Sequence, residues 1–276
     1  MRIDVLTLFP EIFRGFAELA LIRIAREKGL LDLRFKDLRD WTTDPYRTVD
    51  DRPFGGGPGM VLKPEPLVAC VEGTLRAEGL DPAEALPAPP VGGSQTPETG
   101  VAAPSPGPCA SDGCLTRGAG RIILLSPQGQ PLGQPLLKEL AGESWILVLC
   151  GHYEGYDERV RSLLRPLEVS VGDYVLSGGE VAAPVLIDGI VRLLPGVLGD
   201  PHSAEQESFS AGDHLDFPHY TRPREFRGLH VPDVLLSGDH TRIASWRAQQ
   251  ADRRTQLRNE RLRTGQKPAG TGSDKS

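Results

Sequence analysis

From residue 3 to residue 194 the chain alternates short, β-branched apolar runs with stretches whose apolar residues recur every three to four positions. That alternation leaves few solutions other than a largely parallel α/β sheet with helices on both faces. The spacing predicts strands at Ile3–Phe9, around Leu31, Leu33 and Phe35, and at Arg121–Ser126, Trp145–Cys150 and Leu167–Leu176. A first helix is expected from Pro10, whose fixed φ suits a first turn, to Gly29, which closes it. Further helices are expected at Pro64–Glu78, Gly133–Ala141, Tyr156–Leu164 and about Gly179–Leu194.

Residues 81–120 interrupt this pattern. Eight of the forty are Pro, seven are Gly and none is aromatic. Such a segment has too little apolar surface to offset the entropy of ordering it. It reads as a disordered insertion that lacks core-forming residues and is dispensable for catalysis, because strand and helix patterns resume directly after it. Residues 1–198 then form the α/β domain, 199–216 an interdomain linker, 217–264 a small helical domain and 265–276 a disordered tail. In the helical part, Ser237-Gly238-Asp239 offers an N-cap for a helix to about Gln250, with a second basic helix to Arg263.

With 276 residues, 39% of them apolar and 25% charged, the chain is ordinary globular material. It has no apolar run long enough to span a bilayer, and the start MRIDVLTLFP lacks a signal-peptide core, so a cytoplasmic protein is expected. The cysteines Cys70, Cys109, Cys114 and Cys150 include no CxxC pair, which predicts inert thiols and no zinc knuckle. The net charge of −6 is unevenly spread. Residues 220–267 carry 11 Lys and Arg against 5 Asp and Glu, whereas residues 1–219 carry 19 against 31. A basic C-terminal segment on an acidic body is the footprint of a module that grips phosphates, or of a solvated arginine-rich helix face.

Three Gly- or Pro-rich stretches follow or end apolar strands: 125–129 (LSPQG), 151–155 (GHYEG) and 171–180 (VGDYVLSGGE). Loops at the C-terminal ends of parallel strands gather where α/β proteins bind ligands. Walls made mainly of backbone suit an uncharged aromatic ring such as adenine. No GxGxxG follows the first strand, and the glycines at 55–59 (GGGPG) are followed by Met60-Val61 where a Walker A loop has Lys-Ser/Thr. By itself His152 reads as a packed or surface histidine, Arg192 as a helix cap and Glu205 and Glu207 as solvated loop carboxylates.

Together the motifs resemble bacterial tRNA (guanine-N1)-methyltransferases of the TrmD type. The matching segments, in order, are TLFPEIF, RTVDDRPFGGGPGM, LLSPQGQPL, GHYEGYDERV, VGDYVLSGGE, PGVLG, FPHYTRP, VPDVLLSGDH and Trp246-Arg247. The resemblance implies a SPOUT-type fold whose trefoil knot binds S-adenosyl-L-methionine, a homodimer, and methylation at N1 of guanosine 37 of tRNA. It implies a cofactor site at Pro127, Gly151, Tyr153, Val171, Gly172, Asp173, Tyr174, Val175, Leu176, Gly178 and Gly179. Arg192 falls at the family's catalytic arginine, and Glu154 at a glutamate linked to substrate or Mg2+. Arg222 and Arg247 lie in segments of the tRNA-binding domain.

Three positions depart from the pattern. Glu207 stands where the family has an aspartate as general base. Ala182 stands where a proline is usual, with Pro184 two residues later, and the loop after Glu207 is one residue longer. Two other classes stay open: a related knotted methyltransferase acting on another RNA, and an RNA-binding protein that has lost catalysis through the changed base.

Overall fold

A computed structural model describes residues 1–87, 113–115, 120–199, 207–210 and 212–264. The chain divides into two compact units, Met1–Gly199 and Asp200–Ser276.

In the first unit, β1 (Arg2–Thr7) leads into a 3-10 turn at Pro10–Ile12, α1 (Phe13–Ala17) and α2 (Ala20–Glu27). β2 (Asp32–Asp37), the short β3 (Asp50–Asp51) and β4 (Val61–Leu62), α3 (Pro64–Ala77) and α4 (Pro82–Ala85) follow. After the insertion come β5 (Arg121–Pro131), α5 (Gln134–Ala141), β6 (Trp145–Cys150), α6 (Glu158–Leu164), β7 (Leu167–Ser170) and α7 (Gly179–Val191). The main sheet has the order β2-β1-β6-β5-β7, and all its pairs are parallel.

Strand alternation divides the core into two layers, because successive side chains point to opposite faces. Ile3, Val5, Ile123, Leu125, Ile146, Val148 and Cys150 pack with Phe13, Ile22, Leu140 and the Ala182–Val191 part of α7. Leu6, Ile122, Leu124, Leu147 and Leu149 pack on the other side with Leu67, Val71 and Leu75 of α3 and Val160 and Leu164 of α6. Both faces of the central strands are covered, which is why Ile122–Leu125 and Trp145–Cys150 read as continuous apolar runs. Buried polar residues interrupt the apolar pattern elsewhere, among them Asp4 of β1, which is fully buried. It accepts hydrogen bonds from Trp145 Nε1 at 2.7 Å and Arg2 Nε at 2.6 Å.

Several boundaries differ from the sequence reading. The single helix expected over 10–29 is broken at Leu19, which is extended at φ −85°, ψ 137°. Phe13, Ala17, Ile22 and Ala25 all face the core, and a five-residue step from Ala17 to Ile22 would leave that face on an unbroken helix. β7 stops at Ser170, because Gly172 takes φ +156° and residues 171–178 turn away from the sheet. β5 runs on to Pro131 with a register shift, so that Leu125 and Gln130 both pair with Val169.

The insertion also needs correction at its ends. Asp81 caps α4 by accepting from the Ala83 N–H at 3.0 Å, and Ala85 is 3% exposed in the core. Leu115 is fully buried, and its N–H donates to the Gly120 carbonyl at 2.9 Å. The segment therefore does contribute core residues. The expectation of disorder for 88–112 and 116–119 lies outside the described residues, as do Cys109 and the tail 265–276. Leu115→Ala is expected to cost about 2–5 kcal/mol of stability, read from urea denaturation.

The second unit holds a hairpin of β8 (Glu225–Phe226) and β9 (Leu229–His230), then α8 (Asp233–Leu236) and α9 (His240–Thr264). Asp239 caps α9 as expected, accepting from the N–H groups of Thr241 and Arg242 at 3.1 and 3.0 Å. The two helices expected here are one, because no Gly or Pro interrupts residues 240–264. α9 carries seven arginines and buries no residue.

Candidate functional site

The C-terminal ends of β5, β6 and β7 and the N-terminus of α7 enclose a cavity of ≈ 270 Å³. Its walls come from the three loops singled out by sequence. Ser126–Gln128 leave the line of β5 at the register shift, 151–156 follow β6, and 171–179 join β7 to α7. Of the eleven residues that the resemblance assigns to the cofactor, Pro127, Gly151, Tyr153, Val171, Gly172, Tyr174, Val175, Leu176, Gly178 and Gly179 line this cavity. Asp173 is outside its lining.

Glycine is required where the main chain closes on itself. The Gly179 N–H donates to the Gly151 carbonyl at 2.7 Å, and a Cβ on Gly179 would lie 2.8 Å from Cys150 Cα. A Cβ on Gly151 would lie 2.5 Å from the ring and hydroxyl of Tyr156. That tyrosine is a brace. Its buried hydroxyl donates towards the carbonyls of Leu149 at 3.1 Å and Leu125 at 3.3 Å, tying the ends of β6 and β5 together. Burial raises its pKa well above the ordinary tyrosine value, so it stays a neutral donor. Burial likewise pushes the Cys150 thiol well up and the Cys70 thiol up to about 12, in keeping with inert thiols.

The glycine-rich stretch at 55–59 is strapped to the cavity wall. The Glu154 N–H donates to Met60 O, the Leu62 N–H to Gly155 O and the Asp157 N–H to Leu62 O, each at 3.0 Å. Gly59, at φ +84°, lies where a Cβ would strike the Glu154 side chain. Glu154 itself is exposed at the cavity rim.

The residues expected to act on substrate lie elsewhere. Arg192 ends α7, half-buried, with its N–H donating to the Asp188 carbonyl at 3.1 Å. It does not line the cavity. Glu207 belongs to the second unit, where it and Arg247 line a concavity of ≈ 290 Å³. The Arg247 guanidinium stacks over Phe217 at 4.6 Å. Arg222 is exposed. Among the described residues no three His, Cys, Asp or Glu side chains converge as a metal site. No helix among them is long and apolar enough to cross a membrane.

Sequence reasoning missed one arrangement at the cavity. His152 Nδ1 is enclosed 3.5 Å from Oε2 of Glu180, whose Oε1 accepts from Thr7 Oγ1 at 2.8 Å. The three residues are far apart in sequence, and no local pattern announces the contact.

The profile of tRNA (guanine-1)-methyltransferase TrmD matches residues 1–94 and 90–264. The chain belongs to the TrmD family. A Rhodopirellula baltica protein named tRNA (guanine-N(1)-)-methyltransferase is 48% identical over 257 residues, covering 92% of this chain and 90% of that one. Proteins of the same name from Moorella thermoacetica and Geobacillus kaustophilus are 46% and 45% identical over 262 residues. Those matches cover 95% of this chain and 90% and 91% of the relatives. The parallel sheet flanked by helices is the fold class expected of this TrmD-family chain.

Proposed function

We propose that this chain methylates N1 of the guanosine at position 37 of tRNA, beside the anticodon, with S-adenosyl-L-methionine held in the cavity. The observation that carries the reading is the convergence of ten expected cofactor residues on one cavity. The cavity fits an adenosine. Five of its lining residues are glycines, whose N–H and C=O groups can read an uncharged ring, and it lies near the lower end of the usual ligand-pocket range of about 300–1,000 Å³.

S-Adenosyl-L-methionine, when bound, supplies an electrophilic methyl group on a sulfonium. Guanine N1 is a poor nucleophile until its proton leaves. Glu207 takes that proton, which leaves the N1 lone pair free to accept the methyl group. Arg192 faces the negative charge that develops on O6, the logic of an oxyanion hole. A glutamate in place of aspartate adds one methylene and keeps a carboxylate able to take a proton. In this reading the α/β domain, residues 1–198, holds the knot, and residues 217–264 grip the tRNA.

The homodimer reading is supported by apolar side chains left outside the core of the first unit. Val181 and Val185 lie one turn apart on the outer face of α7, 50% and 56% exposed, and Leu19 is 61% exposed. Sedimentation of the full chain is expected to give the mass of two copies.

The deciding experiment offers labelled cofactor to two tRNA transcripts, with guanosine or adenosine at position 37. Label at N1 of the first alone is the expected result. Label in both, or in neither despite binding of cofactor and tRNA, overturns the reading. The second outcome favours an RNA-binding protein without catalysis. Arg222→Ala is expected to weaken tRNA binding and to reduce the slope of log K against log salt by about 1, as loss of one phosphate contact does.

A further inference from the structure

We propose that His152 is the side-chain hydrogen-bond donor of the cavity and receives the carboxylate of the cofactor's methionine part. This rests on the reading that the cavity holds S-adenosyl-L-methionine and adds to it a group that fixes the ligand's flexible end.

Two basic side chains line the cavity, His152 and Arg161. Arg161 is already engaged by two carboxylates: its Nε donates to Glu168 at 2.8 Å and its Nη1 to Glu158 at 2.6 Å. His152 is built in from three sides. Phe9 and Tyr153 meet its ring edge-on, with centroids 5.1 and 4.8 Å away. Its Nδ1 is buried, makes no hydrogen bond, and faces Glu180 Oε2 at 3.5 Å. Glu180 is itself 3% exposed and held by Thr7 Oγ1. The missing side chain of Gly178 makes the contact possible, since a Cβ there would strike Glu180 Oε2 and come within 2.5 Å of His152 Nδ1.

A ring nitrogen of histidine that carries a proton is a hydrogen-bond donor. Nδ1 is turned towards the buried carboxylate, and the side chain, 24% exposed, lines the cavity. A ring N–H that donates to an ionised carboxylate makes a charge-assisted bond, stronger than a neutral one. Glu180 acts through His152, as a positioning residue that balances and aims the ring.

The test is calorimetric titration of the full chain with two probes at one pH. S-Adenosylhomocysteine carries the carboxylate, whereas 5′-methylthioadenosine lacks the amino-acid end. His152→Ala is expected to weaken S-adenosylhomocysteine roughly tenfold or more, the usual loss of a charged hydrogen bond, with methylthioadenosine unchanged. Glu180→Gln is expected to weaken S-adenosylhomocysteine selectively as well. This near-isosteric variant carries the test if His152→Ala melts early. Equal weakening of both probes at an unchanged melting temperature overturns the proposal, because the ring then only packs the wall. Unchanged S-adenosylhomocysteine binding with weakened tRNA binding also overturns it, since the anion is then a phosphate. If the wild-type chain binds neither probe, the cofactor reading of the cavity itself fails.

Discussion

A Glu207→Gln variant is expected to lose methyl transfer by about 10²- to 10⁴-fold, the usual worth of a positioned general base, while still binding cofactor and tRNA. The amide keeps the shape of the side chain and removes its ability to take the N1 proton. Single-turnover assays at saturating cofactor and tRNA separate this loss from a binding defect. Full turnover with normal tRNA binding would remove Glu207 from the role. Arg192→Ala, tested the same way, is expected to slow the chemical step by about 10²-fold or more, as removal of one oxyanion donor does. Loss of cofactor binding in that variant would assign Arg192 to the frame of α7 instead.

The second large effect is expected from Gly151→Val. Even one carbon at this position would lie 2.5 Å from the Tyr156 ring, which is buried and fixed by its hydroxyl. Either the ring or the turn after β6 must move. If the ring moves, the brace between the ends of β5 and β6 is lost, at a cost of about 1–3 kcal/mol typical of overpacked cores. If the turn moves, the Gly151 carbonyl leaves the Gly179 N–H and the cavity opens. Both routes predict loss of S-adenosylhomocysteine binding by calorimetry together with a lower melting temperature. Wild-type binding in this variant would mean that the 151–155 turn does not form the wall.

Much of the frame was legible from the sequence because each strand obeys a simple rule. Ile122 to Leu125 and Ile146 to Leu149 are apolar without interruption, as strands buried on both faces must be. The cavity was legible for a related reason, since glycine-rich loops at strand ends need no side chain to make a wall. What escaped is what depends on distant partners. The break at Leu19 follows from the need of Ala17 and Ile22 to reach the same layer, a demand set by the sheet. Leu115 sits in a stretch of turn-forming composition, yet its backbone pairs with Gly120 and its side chain fills the layer beside α3. The meeting of Thr7, Glu180 and His152 joins three separate elements, and periodicity within any one of them carries no trace of it.

The closeness of the main chain around the cavity bears on how this site can change. A small molecule seated against Gly151, Gly178 and Gly179 would touch peptide groups, which point mutation does not replace. The usual escape from an inhibitor is to enlarge a residue at the wall. Here each of these glycines already has another part of the protein where its Cβ would go, so enlargement displaces the protein before it displaces the drug. Resistance would have to arise at the rim, at exposed positions such as Tyr153 or Val175, where a larger or charged side chain is accommodated.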